Sequence, residues 1–557
     1  MGGGGTLRQL RRLSGSGRHS GIGLIGLGLL SLGWSAEADA QNAAGPPGVG
    51  IQRGIGLVPA PATPAAPGTP GAQGAAGTAA GNAVGQVLPG TWVITPSVEV
   101  GETWNDNITL APKGSETRDF ITTVTPGLNI LLQAPRVNFA VNYAPQALIF
   151  ADHSNFDTLQ QRLAGKGRAE IIPENLFFDA GASIDQEFQT ANGAIGPSTI
   201  TASSNLQTVE AASASPYLLH HFGSFADTET RYRFSTVSVS GDSIAPERIN
   251  EVRQLINSGE TFGRLSWVAT GDYQKIDRLT GTDDPLGGTS GKDLLGRVDL
   301  KYPVYQALSA IGGAGWESVK DPTLGFNPHG VIWDGGFQYQ PNETFLASAT
   351  YGRRFDQTDW EANLAYNPAP DLRLHGSYSL SIQTTPSAIA GNLNNIAIGP
   401  NGTLVDSQTG LPFVANNTIP GRATSAFGIN SGAFLEKRLE VDAQTTRGRN
   451  TFYATGYDIR ESGQTISAER IFGGSASWQR SLWEQLSSIA GAAYYRTLFE
   501  DGSGRKDKTY DVSVGLTYAL SPTAGARLTF SRFDTRSNFP AESLINDLIM
   551  ISLRKQF

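Results

Sequence analysis

The stretch INDLIMISLRKQF, Ile545 to Phe557, decides the fold. Counting back from Phe557, the residues Phe557, Leu553, Ile551, Ile549 and Ile545 share one parity, while Gln556, Arg554, Ser552 and Asn546 share the other. Alternation with period two is the signature of a β-strand, and a strand whose polar face holds Arg and Gln does not pack into a dry core. It suits a wall with lipid on one side and water on the other.

The same design recurs upstream. Trp92, Ile94, Val98, Val100 and Trp104 oppose Thr95, Ser97 and Glu99, and Val137, Phe139, Val141, Tyr143 and Ile149 oppose Asn138, Asn142 and Gln146. Leu372, Leu374, Tyr378 and Leu380 stand against Arg373, His375, Ser377 and Ser379, and Tyr510, Val512, Val514, Leu516 and Tyr518 against Asp511, Ser513 and Thr517. Tyr510 and Tyr518 bracket one such strand. At about 3.3 Å per residue and a tilt near 45° their separation is roughly 19 Å, close to the distance between the two aromatic girdles of an outer-membrane barrel.

Composition agrees. The chain has 557 residues with 67 Gly, 25 Phe, 16 Tyr, 9 Trp, 2 Met and no Cys, and a mean hydropathy of -0.21. After the N-terminus no apolar run reaches the length of a membrane-spanning helix, which leaves a closed barrel as the way to cross a bilayer. The missing cysteines exclude disulfides, thiolate metal sites and cysteine nucleophiles. Arg8, Arg11, Arg12 and Arg18, an apolar run from Gly21 to Leu32, and Ala38-Asp39-Ala40 before Gln41 have the order of a secretory signal, with cleavage after Ala40. Removing its four basic and two acidic side chains takes the formal charge from -8 to -10, and an acidic mature chain argues against nucleic acid as a partner. Residues 41–89, rich in Ala, Gly and Pro, cannot bury a core and are expected to form a disordered periplasmic leader to a barrel over 90–557.

Turn formers punctuate the remainder. Short turns are predicted at 133–136, 173–175, 221–223, 257–259, 302–304, 340–342, 367–370 and 521–523, with less distinct ones near Thr445 and Trp483. Longer connections fall near 105–116, 191–203, 277–290, 321–328, 384–423 and 534–544. Short turns on one side and long loops on the other give an all-β fold, a transmembrane antiparallel β-barrel of about 22 strands, within a range of 18 to 26. Pro96, Pro126 and Pro145 fall inside strands, where bulges or weakened pairing are expected.

Chemical motifs are sparse. Gly241-Asp242-Ser243 matches a block found in some secreted esterases, but no His follows His375 to complete their Asp-x-x-His element. The six histidines show no metal-ligand spacing, and GxGxxG at Gly21, Gly23 and Gly26 lies inside the signal core with no strand before it. No enzyme activity, cofactor or metal is expected. Asp283-Asp284 and Glu500-Asp501 are read as solvated acidic pairs, with calcium as the sharper alternative. The inward charges Glu99, Asp334, Glu361, Arg373, Asp511, Arg527 and Arg554 carry both signs, which favours a hydrated interior for neutral polar solutes over a strongly anion-selective pore. The competing reading is that they pair across a filled lumen.

WVITPSVEVGETWNDNITLAP from Trp92, then DFITTVTPGLNI and VNFAVNYAPQALIFADHSNFDTLQQRL to Leu163, resembles the opening of the PEP-CTERM-system-associated outer-membrane protein family. That resemblance implies an outer-membrane barrel encoded with exopolysaccharide and protein-sorting loci, hence a porin-like passage or surface platform for polysaccharide. It supplies no catalytic residues. A structural or adhesive barrel without transport is the alternative. The expected partners are outer-membrane lipid and the barrel assembly machinery. The longest connection, Thr384 to Arg422, carries apolar clusters at Ile396-Ala397-Ile398, Leu404-Val405 and Leu411 to Val414, and is expected to fold inward as a constriction rather than stand outward as a ledge.

The aromatic end of the amphipathic last strand, with Phe557, Leu553 and Ile551, resembles the signal by which such barrels are recognised for assembly, although Lys555 stands where an apolar residue is usual. Deleting Phe557 is therefore expected to reduce membrane insertion more than replacing Lys555 with Ala. Surface levels of the two variants measure it, and equal levels of the deletion and the parent refute it.

Overall fold

The computed structural model describes Gly90 and residues 92–557, apart from 191–192, 194, 242, 281–282, 370, 400–403, 407–427, 464–468 and 500–501. The expected signal and leader lie outside the described residues, as do Glu500-Asp501 and the Leu411 to Val414 cluster. From Trp92 onward the chain winds into one antiparallel sheet of 24 strands that closes on itself. Gln146–Phe150 and Thr158–Gln160 continue the lines of Val137–Tyr143 and Leu163–Ile172 beyond short interruptions, so the barrel has 22 staves. Closure comes from the first strand, Trp92–Asn105, pairing with the last, Leu544–Gln556, from Ser97↔Gln556 to Asn105↔Leu548.

The outer face carries the apolar parity. Tyr510, Val512, Val514, Leu516 and Tyr518 are exposed on it, as are Ile549, Ile551, Leu553 and Phe557. Two rows of rings run across neighbouring staves. Near the extracellular side Trp333 meets Tyr351 and Tyr351 meets Trp360, with ring centroids 6.3 and 4.6 Å apart. Near the periplasmic side Tyr339 meets Phe345 and Phe345 meets Tyr366, at 5.9 and 5.4 Å. These are the girdles of a membrane barrel, and the protein is an outer-membrane protein.

Strand prolines disturb the wall less than expected. Pro96↔Leu128 and Pro126↔Val98 stand in an unbroken register between the first two strands. Pro96 lies just beyond the end of the last strand, where its carbonyl accepts from the Phe557 N–H at 3.0 Å, so its missing N–H disrupts no ladder there. Pro126 lies in the gap between the pairings of its strand with Val137–Tyr143 and with Gln146–Phe150, the interruption that contains Pro145. Two prolines thus share one defect. The turns predicted at 302–304 and 340–342 are corrected: both segments are strand ends with register shifts, and the chain reverses just after them. Proline there ends the ladder because it lacks a donor, and the next residues make the turn.

In its extracellular half the inner face is not wet. Ile108, Ile121, Leu148, Phe150 and Ile200 form one buried cluster, with Met550 against it, and Leu110, Phe188, Phe533 and Leu544 form another. The connections after Asn105 and after Phe188 fold into the mouth and cover these side chains. A polar tie sits beside them at the closing seam. Asn546 Nδ2 donates to Asn105 Oδ1 at 2.6 Å, and Asn107 Nδ2 donates to the carbonyls of Ala111 and Ile545 at 2.8 and 3.0 Å. Asn105, Asn107 and Asn546 are almost wholly buried. Replacing Asn546 with Leu would remove one of the two donors to Asn105 Oδ1, leaving the Asn107 N–H at 2.8 Å, and cost about 1 kcal/mol. The expected outcome is a lower temperature for conversion of the folded to the unfolded band in heat-modifiability gels, and an unchanged temperature would refute the tie.

Candidate functional site: the lumen and its infolded segment

Inner-face charges are organised along the wall. Glu99 stands opposite Arg554 in the closing ladder, receives a hydrogen bond from Ser552, and has Arg527 and Arg162 nearby. Asp334 pairs with Arg297, which also binds Asp299 at 2.6 Å. To do so Arg297 passes over the intervening strand at Gly313, where a Cβ would come within 2.5 Å of the guanidinium. Glu361 is half-buried beside Asp359, Arg373 is exposed near the periplasmic end of its strand, and Asp511 keeps a buried carboxylate oxygen with no hydrogen-bond partner among the described residues. These pairs join nearby staves rather than opposite walls, so they do not by themselves fill the lumen. Sequence reading overlooked a denser group. Arg168 and Arg231 both bind Asp179, at 2.9 and 3.2 Å, Arg233 binds Glu251 at 2.8 Å, and Arg231 stacks 3.8 Å above the Tyr217 ring. Alternation of Arg231 and Arg233 with exposed Tyr232 was the available signal.

The segment after Leu372–Gln383 turns inward. Thr384 caps a short helix, α1 (Thr385–Asn392): its hydroxyl accepts from the Ser387 N–H at 3.0 Å, and the Ser387 hydroxyl accepts from the Thr384 N–H at 2.9 Å. This reciprocal box starts a helix of only two turns that could not persist alone. Its buried face, Ile389 and Ala390, with Leu393 beyond, packs on Val209, Val237 and Ile249, inner-face residues on the far side of the barrel. A hairpin, Ile396–Ile398 with Leu404–Asp406, follows and lies against Val137–Tyr143 and Leu163–Ile172, with Leu131, Ala140 and Ala164 in the same cluster. The described part of the segment therefore crosses the lumen. Lys166 Nζ donates to the Leu393 carbonyl at 3.0 Å, and a Cβ added at Gly181 would touch Leu393 at 3.4 Å, leaving no room for a longer side chain.

Both ends of the segment are tied to the opposite rim. Thr384 Oγ1 donates to Glu247 at 2.9 Å; Arg278 donates to the Ser431 carbonyl at 2.6 Å and to Asp321 at 2.9 Å, and lies 3.6 Å from Glu247. Arg278 and Glu247 have fully buried side chains; losing Arg278 would leave the buried Asp321 carboxylate without its cation, at about 3–5 kcal/mol, whereas losing Glu247 leaves Arg278 paired with Asp321. Asp284 accepts from the Ser431 hydroxyl at 2.6 Å and from the backbone N–H of Ala245 and Leu286. The solvated reading of Asp284 is corrected: it is a buried anchor. Burial works against its charge, but the Ser431, Ala245 and Leu286 bonds and nearby Arg278 outweigh it and hold the carboxyl below the usual range.

Ser243 accepts a hydrogen bond from Gln189 at 2.6 Å, and Asp242 lies outside the described residues. His153, His221 and His375 each face a single carboxylate, of Asp119, Asp227 and Asp442. No group of three metal-ligating side chains occurs among the described residues.

Residues 472–557, the final staves, match a family described as "Putative beta-barrel porin 2". No curated protein matches the chain. Among solved structures it is similar to the FrpB iron transporter from Neisseria meningitidis, at 10% identity over 84% of this chain and 83% of that one with a TM-score of 0.47. It is similar too to the siderophore receptor PirA from Acinetobacter baumannii, at 8% identity over 84% and 81% with a TM-score of 0.44. The ferripyoverdine receptor of the outer membrane of Pseudomonas aeruginosa matches at 11% identity over 85% and 72%, with a TM-score of 0.45.

The sign of the Asp284 shift sets a pH window. A carboxyl depressed in the folded state contributes stability that is full above its unfolded value, about 3.9, and is lost as pH falls through the folded value. Ion conductance of the reconstituted barrel is expected to stay constant from pH 8 to about pH 4 with respect to this anchor and to rise below it. Asp284→Asn should give the raised conductance already at pH 7.

Proposed function

We propose that the protein is a passage for a polar solute across the outer membrane, narrowed by the described part of the segment that follows Gln383. The observation that carries this reading is the course of that segment from Gln383 across the lumen to Leu393 and Ile396 on the far wall. A plug built from one apolar helix face, one short hairpin and a few buried polar ties can be displaced without unpairing a stave. Mixed-sign wall charges, with Asp179, Arg231, Arg233 and Glu251 in compensating pairs, suit a neutral hydroxyl-rich solute better than an ion of either sign. The resemblance of Trp92 to Leu163 to barrels encoded beside exopolysaccharide loci supports a surface polysaccharide as that solute. A second reading, a non-conducting structural or adhesive barrel, is favoured by the infolded loops that pack the extracellular half.

Deleting Ala390 to Asn417 is expected to raise single-channel conductance and sensitivity to large antibiotics. Gly181→Leu, which pushes Leu393 off the wall without shortening the chain, should give an intermediate effect. Unchanged conductance in a deletion variant that inserts normally would rule the constriction out and leave the outward ledge.

A further inference from the structure

Two neighbouring staves part at the extracellular end. Gln357–Ala369 stays in register with Phe345–Arg354 up to Arg354↔Gln357, and Leu372–Gln383 stays in register with Phe434–Arg447 up to Gln383↔Phe434. With each other they pair only from Ala369↔Leu372 to Ala362↔Tyr378. Gln357 to Glu361 and Ser379 to Gln383 continue as strands but not as partners. The opening extends five residues along each edge, roughly 16 Å.

The opening begins at the upper aromatic girdle. Trp360, in contact with Tyr351, is the last ring of that row, and continued pairing would have placed Leu380 beside it. Instead Leu380 is 6% exposed, whereas Leu439 and Val441, on the same outer face of the neighbouring strand, are 42% and 51% exposed. Leu380 is buried among Val319, Leu324, Phe355, Ala433 and Leu435. Ile382, Gln383 and Thr384 line a cleft with Gln274 and Ile276 of a stave across the mouth. The end of this hairpin therefore leans into the lumen and takes its outer face with it, which corrects the reading of Leu380 as lipid-facing.

Parting leaves two edges of backbone N–H and C=O groups at the level of the lipid headgroups, where polar headgroups or water can meet them, as hydrocarbon cannot. By alternation Trp360 and Tyr378 flank the opening outside, and Asp359, Glu361, Ser379 and Ser381 flank it inside. Asp359 has a buried carboxylate oxygen without a hydrogen-bond partner among the described residues. One kind of molecule answers both sides: an amphiphile with an acyl chain and a donor-bearing polar head. We propose that this seam is a lateral portal, through which such a lipid of the outer leaflet passes its head into the lumen while its chain stays between Trp360 and Tyr378. The proposal stands whether or not the lumen conducts solutes.

The absence of cysteine from the chain makes the test clean. Oxidation of the Asp359→Cys/Ser381→Cys pair should yield no disulfide, while Asn363→Cys/Ser377→Cys, partners in the closed part of the ladder, should cross-link. Equal cross-linking would mean that the seam is shut, and would overturn the proposal. Single cysteines at Ser379 and Ser377, each labelled with bimane in barrels that pass the heat-modifiability test, then report lipid entry in liposomes containing tail-doxyl phosphatidylethanolamine. At least twofold stronger quenching at 379 than at 377 supports the portal, and equal quenching overturns it. Doxyl phosphatidylcholine, whose head has no N–H donor, should quench position 379 less; equal quenching by the two lipids would overturn the assignment of a donor-bearing head.

Discussion

Everything in this structure depends on backbone hydrogen-bond closure in a solvent that offers no alternative partner. Within lipid an unpaired sheet edge is prohibitive, so the first and last staves must meet, and the ladder from Ser97↔Gln556 to Asn105↔Leu548 is what makes the other pairings tenable. The buried tie among Asn105, Asn107 and Asn546 reinforces that ladder where the strands give way to loops. Prolines in the wall stand where closure does not need their N–H: Pro96 beyond the end of the last strand, Pro126 and Pro145 at one shared interruption, and Pro216 where the ladder from Leu206–His221 to Ala226–Val239 skips two residues.

Closure of the wall leaves the filling of the lumen free to vary. The strand alternation puts apolar groups outside between the two girdles, but puts polar groups inside only where water or ion pairs meet them. Where loops fold in, the inner parity turns apolar, as at Leu544, Leu548 and Met550 of the last strand. The infolded segment uses the same principle. It shows Ile389, Leu393 and Ile396 to an apolar strip of the far wall and spans the rest with single polar bonds, from Lys166 and from Thr384 to Glu247. This segment is held by surface complementarity and few hydrogen bonds, the wall by many.

The same economy explains where the wall itself relaxes. A hairpin end that leans inward to bury Leu380 and Ile382 must leave its neighbour, and the edges it frees lie at the girdle, where headgroups and water are within reach. The parting at Tyr378 and the anchoring of Thr384 belong to one rearrangement of the mouth.

The sequence by itself determined the wall. Alternation in Ile545 to Phe557 and in Tyr510 to Tyr518, ring spacing, and short turns against long loops were enough for an antiparallel barrel of about 22 strands and for the outward side of those two strands, because period-two patterning is local and the membrane imposes it on the staves. The apolar clusters of the 384–422 connection also signalled an inward fold, since exposed clusters of that kind need a surface to cover them. What only the tertiary structure decided are contacts between residues far apart in the chain. These are the wall on which Leu393 lands, the Arg278 tie that joins Glu247, Asp321 and Ser431, the conversion of Asp284 from a solvated loop acid to an anchor, and the burial of Leu380 at the parted seam. No local pattern encodes them, because each depends on which staves the closed cylinder brings face to face.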